Sequence, residues 1–343
     1  MKEYIVRLVP RSAFAPAIHS DTIFGAVCWG IRTLFGLEQL LESLARFREK
    51  EPPFLFSSAF PYRETSRGFR YFLPRPILQP IPAARLRGLI PDEKRRIYHS
   101  EKYSLVRGAQ RYKEFKKIQW IPQDIFQRIL HDPREEVLFQ AFLDGLYLAP
   151  RFQTNAVRQQ NSIERLAGST AGAGNVFHSH EARFRCCHGL YFLLRVADEA
   201  TDLLLSVLNY LADSGIGADA RTGKNWFTVE LEGKRMFETV TGGDGFFTLS
   251  RYIPQESLAD SKSWYAIAPV RSTVESRLEF AGDDIWKRRV MYLMPGSYIS
   301  PMTRQAHFGG IVPVKELAGQ TIYQYGLAYP VWAGKGGAPC NTN

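Results

Sequence analysis

Gly215 to Phe227, GIGADARTGKNWF, is a glycine-rich basic loop placed directly after an amphipathic helical stretch and directly before a strand-like run. Helix, loop, strand reverses the order that a nucleotide-hydrolysing loop needs. A GxxxxGK[ST] loop follows a strand and opens a helix, so that the helix amino terminus meets the phosphates. Here Asn225 follows Gly223-Lys224, and Ala218 stands where the upstream glycine belongs. The dinucleotide fingerprint fails too, because Gly215-x-Gly217 is followed by Ala220 where a third glycine is needed. What is left is a loop whose backbone approaches a ligand closely and whose Arg221, Thr222 and Lys224 are donors, a set suited to a sugar-phosphate backbone.

A chain of 343 residues, 45% hydrophobic and 23% charged, is long enough to bury a core, and its length predicts two domains. Its net charge of +10 points to a polyanionic partner, although basic charge also describes proteins that need only solubility. Cys28, Cys186, Cys187 and Cys340 form no CxxC pair and no disulfide framework, which fits a reducing cytoplasm. MKEYIVRLVPRS lacks the apolar run of a signal peptide, and no stretch approaches the roughly 18 apolar residues that span a bilayer. The expectation is a soluble cytoplasmic protein with no membrane partner and no cofactor.

Tyr4 to Val9 alternates as a strand does, and Ser20 or Asp21 is placed to cap the helix that follows. Ile23, Phe24, Val27, Ile31, Leu34 and Phe35 recur at helical spacing; Gly36 breaks the run, and Leu37, Leu40, Leu41, Leu44 and Phe47 restart it. Phe54–Phe60 and Phe69–Leu73 read as strands around a polar turn, giving β-α-β-β, the opening of a ferredoxin-like unit. Prolines 74, 76, 80, 82 and 91 then lead into a basic tract. Nine Lys or Arg residues lie between Lys94 and Lys117, interleaved with Tyr98, Tyr103, Tyr112 and Phe115. That mixture suits single-stranded RNA, where phosphates meet cations and bases stack on rings; a solvated insertion is the plainer reading.

Ile121–Leu130 and Glu135–Leu146 look helical. Asn175–Phe184 and Leu190–Val196 read as strands, Leu204, Val207, Leu208 and Leu211 mark one helix face, and further strand-like runs continue to Trp332. The pattern predicts an α+β fold of two ferredoxin-like (RRM-like) domains, residues 1–150 and 151–333, with a basic insertion at about 75–120 and a tail over 334–343.

Five motifs carry a resemblance. His19-Ser20-Asp21-Thr22-Ile23-Phe24-Gly25 resembles HSDTxFG, Asn161-Ser162-Ile163-Glu164-Arg165 resembles N-x-I-D-R, and Gly215 to Phe227 resembles GIGGDRSTGKGRF. Pro295-Gly296-Ser297 is similar to EGS, and Tyr323-Gln324-Tyr325-Gly326-Leu327-Ala328 to YRYGLAF. In this order they resemble the RAMP superfamily of CRISPR proteins, and more closely its subunits that cap the 5′ handle of the guide RNA in type III-A Csm effector complexes. Glu164, Ala218, Asn225 and Pro295 depart from the pattern, and the glycine lost at 225 removes freedom from the end of the loop.

The resemblance implies a non-enzymatic RNA-binding subunit. Its partners are the 5′ handle of a guide RNA, a large polymerase and HD-nuclease subunit, a neighbouring RAMP backbone subunit and, indirectly, target RNA. It also implies a thumb-like β-hairpin from somewhere within residues 75 to 160. The RNA contacts expected are His19, Ser20, Asp21, Thr22, Phe24, Gly25, Asn161, Ile163, Arg165, Gly215, Gly217, Arg221, Thr222, Gly223, Lys224, Gly296 and Ser297. Plainer roles stand beside these: Asp21 and Thr22 as helix caps, Arg165 as an ion-pair partner, and the loop as an ordinary turn.

An alternative within the superfamily is a metal-independent endonuclease that matures precursor guide RNA with His19 as general base, though no second catalytic group stands out. His178, His180, Cys186, Cys187 and His188 are metal-binding types without paired spacing, so no metal is expected.

Overall fold

The computed structural model describes residues 1–14, 17–89, 101–146, 151–161, 163, 168–170, 176–217, 220, 223–240, 242–258, 262–275 and 284–334. Residues 2–74 form β1 (Lys2–Pro10), α1 (Ser20–Arg48), β2 (Phe54–Phe56), β3 (Phe60–Thr65) and β4 (Gly68–Pro74). Helices α2 (Ala83–Gly88) and α3 (Glu101–Lys116), strand β5 (Trp120–Pro122) and helices α4 (Gln123–His131) and α5 (Glu135–Leu143) follow. A hairpin of β6 (Gln153–Asn161) and β7 (Val176–Phe184) leads into β8 (His188–Val196), α6 (Thr201–Ser214) and β9 (Phe227–Glu232). The remainder is short strands: β10 (Gly245–Thr248), β11 (Ile267–Val270), β12 (Val290–Leu293), β13 (Tyr298–Ile299), β14 (Ile311–Leu317), β15 (Gln320–Tyr325) and β16 (Pro330–Ala333).

The main sheet has seven strands in the order β5-β4-β3-β8-β1-β9, with β2 also on β8. β1 lies antiparallel between β8 and β9, pairing Ile5 with both Leu193 and Glu232. This corrects the expected division at residue 150. The strands and the helix assigned from sequence to a second domain, together with the glycine loop, complete the sheet that β1 begins. Their apolar faces require it: Ile5, Val6 and Leu8 of β1 and Leu193, Leu194 and Val196 of β8 are all buried, and β8 and β9 are the strand partners of β1 among the described residues. The segment between β4 and β8 is thus an insertion between two parts of one sheet, to which it adds the edge strand β5.

Helices α1 and α6 cover that sheet and meet closely. A Cβ on Gly30 would sit 2.6 Å from Val207 Cγ1, so glycine is what lets the two backbones approach. Gly36 has φ +89° and kinks α1, as the interrupted period anticipates. Around the kink, however, Leu34, Phe35, Leu37 and Leu41 are exposed, although their spacing places them with the buried face.

Residues 245–333 contain no α-helix among the described residues. They build a three-stranded sheet, β13-β10-β16, and two ladders, β11-β12 and β14-β15. Their core is continuous with that of the main sheet: Phe24 packs on Tyr325 at 5.2 Å between ring centroids, and the Tyr325 hydroxyl accepts the amide of Phe56 at 3.1 Å. Between β2 and β3 the register slips, with Phe56 opposite Leu194 but Phe60 opposite Tyr191. The slip frees Ser58, whose amide donates to Leu249 O at 2.8 Å and ties the two parts together.

The basic tract is helical where it is described, and its Tyr112 and Phe115 turn inward. Phe115 is fully buried at 5.3 Å from Phe139 and Tyr112 lies 5.5 Å from Phe139, so neither is a stacking platform for bases. Tyr98 lies outside the described residues.

Candidate nucleic-acid interface

α1 begins at His19 in extended conformation, and no side chain caps it. The cap expected of Asp21 and Thr22 is absent because Asp21 has stronger partners. Both of its carboxylate oxygens accept from Arg251 Nη1 at 3.1 Å, and Oδ2 accepts from Gln324 Nε2 at 2.9 Å. Ser20, fully buried, accepts the amide of Arg251 on Oγ at 3.0 Å and donates its own amide to Ser58 Oγ. Ser20 and Asp21 are therefore spent on an internal lock that fastens the start of α1 to residues 251 and 324. Phe24 is core, edge-on to Phe47. The expectation that Ser20, Asp21 and Phe24 contact RNA is corrected to a role in shaping the site. Gly25 is half-buried with open space around its Cα.

His19 is half-buried, and its Nδ1 has no hydrogen-bond partner among the described residues. Burial, then the charge of Arg251, lower its pKa to about 4 against the opposing pull of Asp21. An unfolded imidazole protonates near pH 6.5. Between about pH 6.5 and 4 the unfolded chain thus holds more protons than the folded one, and stability is lost as pH falls through that window. The expected loss is at most about 3 kcal/mol. Urea midpoints measured from neutral pH down to about 4.5 should fall less steeply in His19→Gln than in wild type.

The glycine loop closes on this helix start. Gly215 ends α6 with φ +81°, and a Cβ there would meet Ala220 Cβ at 2.9 Å and Trp226 Cδ1 at 3.2 Å. At Gly217, φ +82°, a Cβ would lie 2.9 Å from the methyl of Thr22, so two motifs nearly 200 residues apart in sequence touch here. Gly223 faces open space. Asn225 stands where the resembling sequences have glycine, yet it keeps the left-handed conformation at φ +60°, which asparagine tolerates better than most residues. Its amide donates to Ala13 O at 2.9 Å, and Trp226 N donates to Ser12 Oγ at 2.9 Å. Asparagine at 225 thus still adopts a left-handed backbone conformation.

Lys224 is buried, and its ammonium donates to Ser179 Oγ on β7. The reading of Lys224 as an open phosphate donor is corrected: it fastens the loop to the β6-β7 hairpin. That hairpin is otherwise exposed along β6 and is anchored at its base by reciprocal amide bonds between Phe14 and Ala182. It spans 153–184, with β7 lying past the expected 75–160 window. Asn161 ends β6 opposite Val176, and Ile163 beyond it is 65% exposed. Arg165, Arg221 and Thr222 lie outside the described residues.

Gly296 and Ser297 belong elsewhere. Gly296, φ +92°, accepts the amide of Ile77 at 2.7 Å, and fully buried Ser297 donates to Met294 O at 2.6 Å, which makes them a joint between the inserted segment and the 245–333 part. They are corrected from RNA contacts to structural residues. The sequence reading passed over Trp226, 44% exposed with its indole N–H on Ala220 O at 3.3 Å, and Arg11, exposed beside it with its amide on Trp226 O. A tryptophan inside a basic glycine loop was the available signal. Arg251 carried none, since its partner Asp21 lies 230 residues away.

No protein-family model matches the chain. A curated Csm4 protein of a CRISPR system from Thermococcus onnurineus (strain NA1) is 25% identical over 331 residues, 95% of each chain. The fold is similar to a chain in the crystal structure of a Csm1-Csm4 cassette in complex with cA4, with TM-score 0.61, 18% identity, and 97% and 98% of the two chains covered. It is also similar to a chain in a Csm3-Csm4 subcomplex of the type III-A CRISPR-Cas interference complex, with TM-score 0.57, 16% identity, and 96% and 98% covered. The likeness runs over nearly the whole length of the chain, in sequence to a CRISPR-system protein and in fold to chains of Csm assemblies. By sequence the chain is a relative of that Csm4 protein.

Proposed function

We propose that this chain is the RNA-binding, architectural subunit of a type III-A CRISPR interference complex, which caps the 5′ handle of the guide RNA. The observation that carries this reading is the convergence of the glycine loop, the start of α1 and the β6-β7 hairpin through Gly217–Thr22 and Lys224–Ser179. Strands β1, β2/β3, β8 and β9 with helices α1 and α6 read as one ferredoxin-like unit split by the insertion, with the hairpin as its thumb. The start of α1 supplies amide dipoles, Gly223 an open backbone, and Trp226 and Arg11 a ring and a charge. The 245–333 part is the second, irregular half of the clamp.

The similar structures pair Csm4 with Csm1 and with Csm3. By analogy this chain docks a large polymerase and nuclease subunit and a RAMP backbone subunit, and meets target RNA only through the guide. Its action is binding rather than cleavage.

Arg221→Ala is expected to weaken binding of a repeat-derived handle RNA and to lower the salt slope by about 0.7, the value for one single-strand phosphate contact. Lys224→Ala should weaken binding by loosening the hairpin, and the double variant should fall further with unchanged circular dichroism. Equal affinity of wild type and double variant near physiological salt would overturn the reading. Repeat RNA kept with the protein in EDTA should stay intact; cleavage that His19→Ala abolishes would support the endonuclease alternative instead.

A further inference from the structure

A second basic and aromatic site lies away from the glycine loop, in a groove of about 610 Å³ lined by Arg271, Trp286, Arg288, Arg289 and Lys315. Residues 285–288 run extended, bonded through Val274 N to Ile285 O and Arg288 N to Val314 O. Alternation therefore turns Lys287 inward, to Gln324 Oε1 at 3.2 Å, and leaves Trp286 and Arg288 outward. The Trp286 indole is 50% exposed, unusual for so large an apolar ring, and the Arg271 guanidinium stands 5.0 Å from its centroid. Exposed Arg288 and Arg289 have no ion-pair partner among the described residues.

The acidic groups of the groove are already engaged. Asp284 accepts from Trp286 N at 3.0 Å and from Lys315 Nζ at 3.1 Å, and these two donors hold its pKa below the usual carboxylate range. Glu316 accepts from Thr321 Oγ1 at 2.8 Å. The same Lys315 ammonium donates to Trp286 O at 3.0 Å, which fixes the backbone that presents the ring.

We propose that this groove is a second single-stranded RNA site, in which Trp286 with Arg271 takes a stacked base and Arg288 and Arg289 take the adjoining phosphates. A flat exposed ring beside fixed guanidinium groups suits a base and its phosphodiesters. An acidic protein segment would use the charges and leave the indole face without a role. A buried chain of hydrogen bonds, Lys287 to Gln324 to Asp21, runs from the groove to the start of α1. The proposal rests on the reading that the chain binds RNA.

The test uses the full chain, an RNA carrying 4-thiouridine, near-ultraviolet crosslinking and peptide mapping, with salt-dependent affinities measured in parallel. Wild type should crosslink at the peptide containing Trp286. Trp286→Ala should lose that crosslink and about tenfold in affinity, and Trp286→Phe should restore both. Arg288→Ala with Arg289→Ala should lower the salt slope by about 1.4, two single-strand contacts. If all these variants bind and crosslink as wild type does while Arg221→Ala binds less, this inference falls and the handle reading stands. If wild type binds no single-stranded RNA, both fall. Loss of an acidic protein partner in Arg288→Ala with Arg289→Ala, with RNA binding unchanged, also overturns it.

Discussion

Asp21→Ala is expected to lower the unfolding free energy by about 3–5 kcal/mol, because it removes one side of a buried ion pair and leaves the other charge uncompensated. The Asp21 side chain is 4% exposed and that of Arg251 14%, so water cannot replace the lost carboxylate. Gln324 loses its acceptor at the same time, and the ammonium of Lys287 loses the nearby charge that offsets its burial. The effect should reach beyond stability. Asp21 precedes Thr22, whose methyl seats Gly217, so handle affinity should drop even where the variant is folded. Asp21→Leu combined with Arg251→Met, which removes both charges, should recover part of the stability but not the affinity. Urea denaturation of the single and paired variants, with RNA titration of each, checks both statements. A single variant within about 1 kcal/mol of wild type would mean that the lock is surface-like.

Glu135→Gln is expected to cost a similar amount, about 3–5 kcal/mol, by the same physics at another site. Glu135 is buried and is the common acceptor of four donors. Arg75 Nη2 and Lys116 Nζ reach Oε1 at 2.5 and 2.6 Å, while the Tyr112 hydroxyl and the amide of Ile81 reach Oε2 at 2.5 and 3.1 Å. Burial, then this hydrogen bond, push the Tyr112 hydroxyl pKa upward. Because the donors come from the β4-α2 segment, α3 and their surroundings, losing the charge should loosen the insertion before the main sheet. Hydrogen exchange should therefore rise first over residues 75–89 and 101–116, with β1, β8 and β9 still protected. Uniform loss of protection would contradict that order.

Much of the fold was legible locally. Alternation located β1 and β8, helical spacing and Gly36 located the two halves of α1, and helix-before-strand order placed the glycine loop between α6 and β9. What failed was long-range pairing. Periodicity says that Leu190–Val196 is a strand but not that its partner is β1, nearly two hundred residues earlier, and so the chain read as two consecutive units instead of one interrupted unit.

The site was legible in the same uneven way. Its motifs were visible, but the direction of each side chain was not. Ser20, Asp21, Phe24, Lys224 and Ser297 fit an RNA-contact pattern by residue type, and all five are buried, the first four against partners well separated in sequence. Thr22 and Gly217 do meet, and Asn225 keeps the conformation that its lost glycine allowed.

The central claim, that the chain holds the 5′ handle of a guide RNA, is tested most directly by purifying the protein from its host with its bound RNA and sequencing the 5′ ends. The account predicts one shared, repeat-derived 5′ sequence across the bound molecules, lost from preparations of the Arg221→Ala and Lys224→Ala double variant. Bound RNA with 5′ ends of random sequence would contradict it.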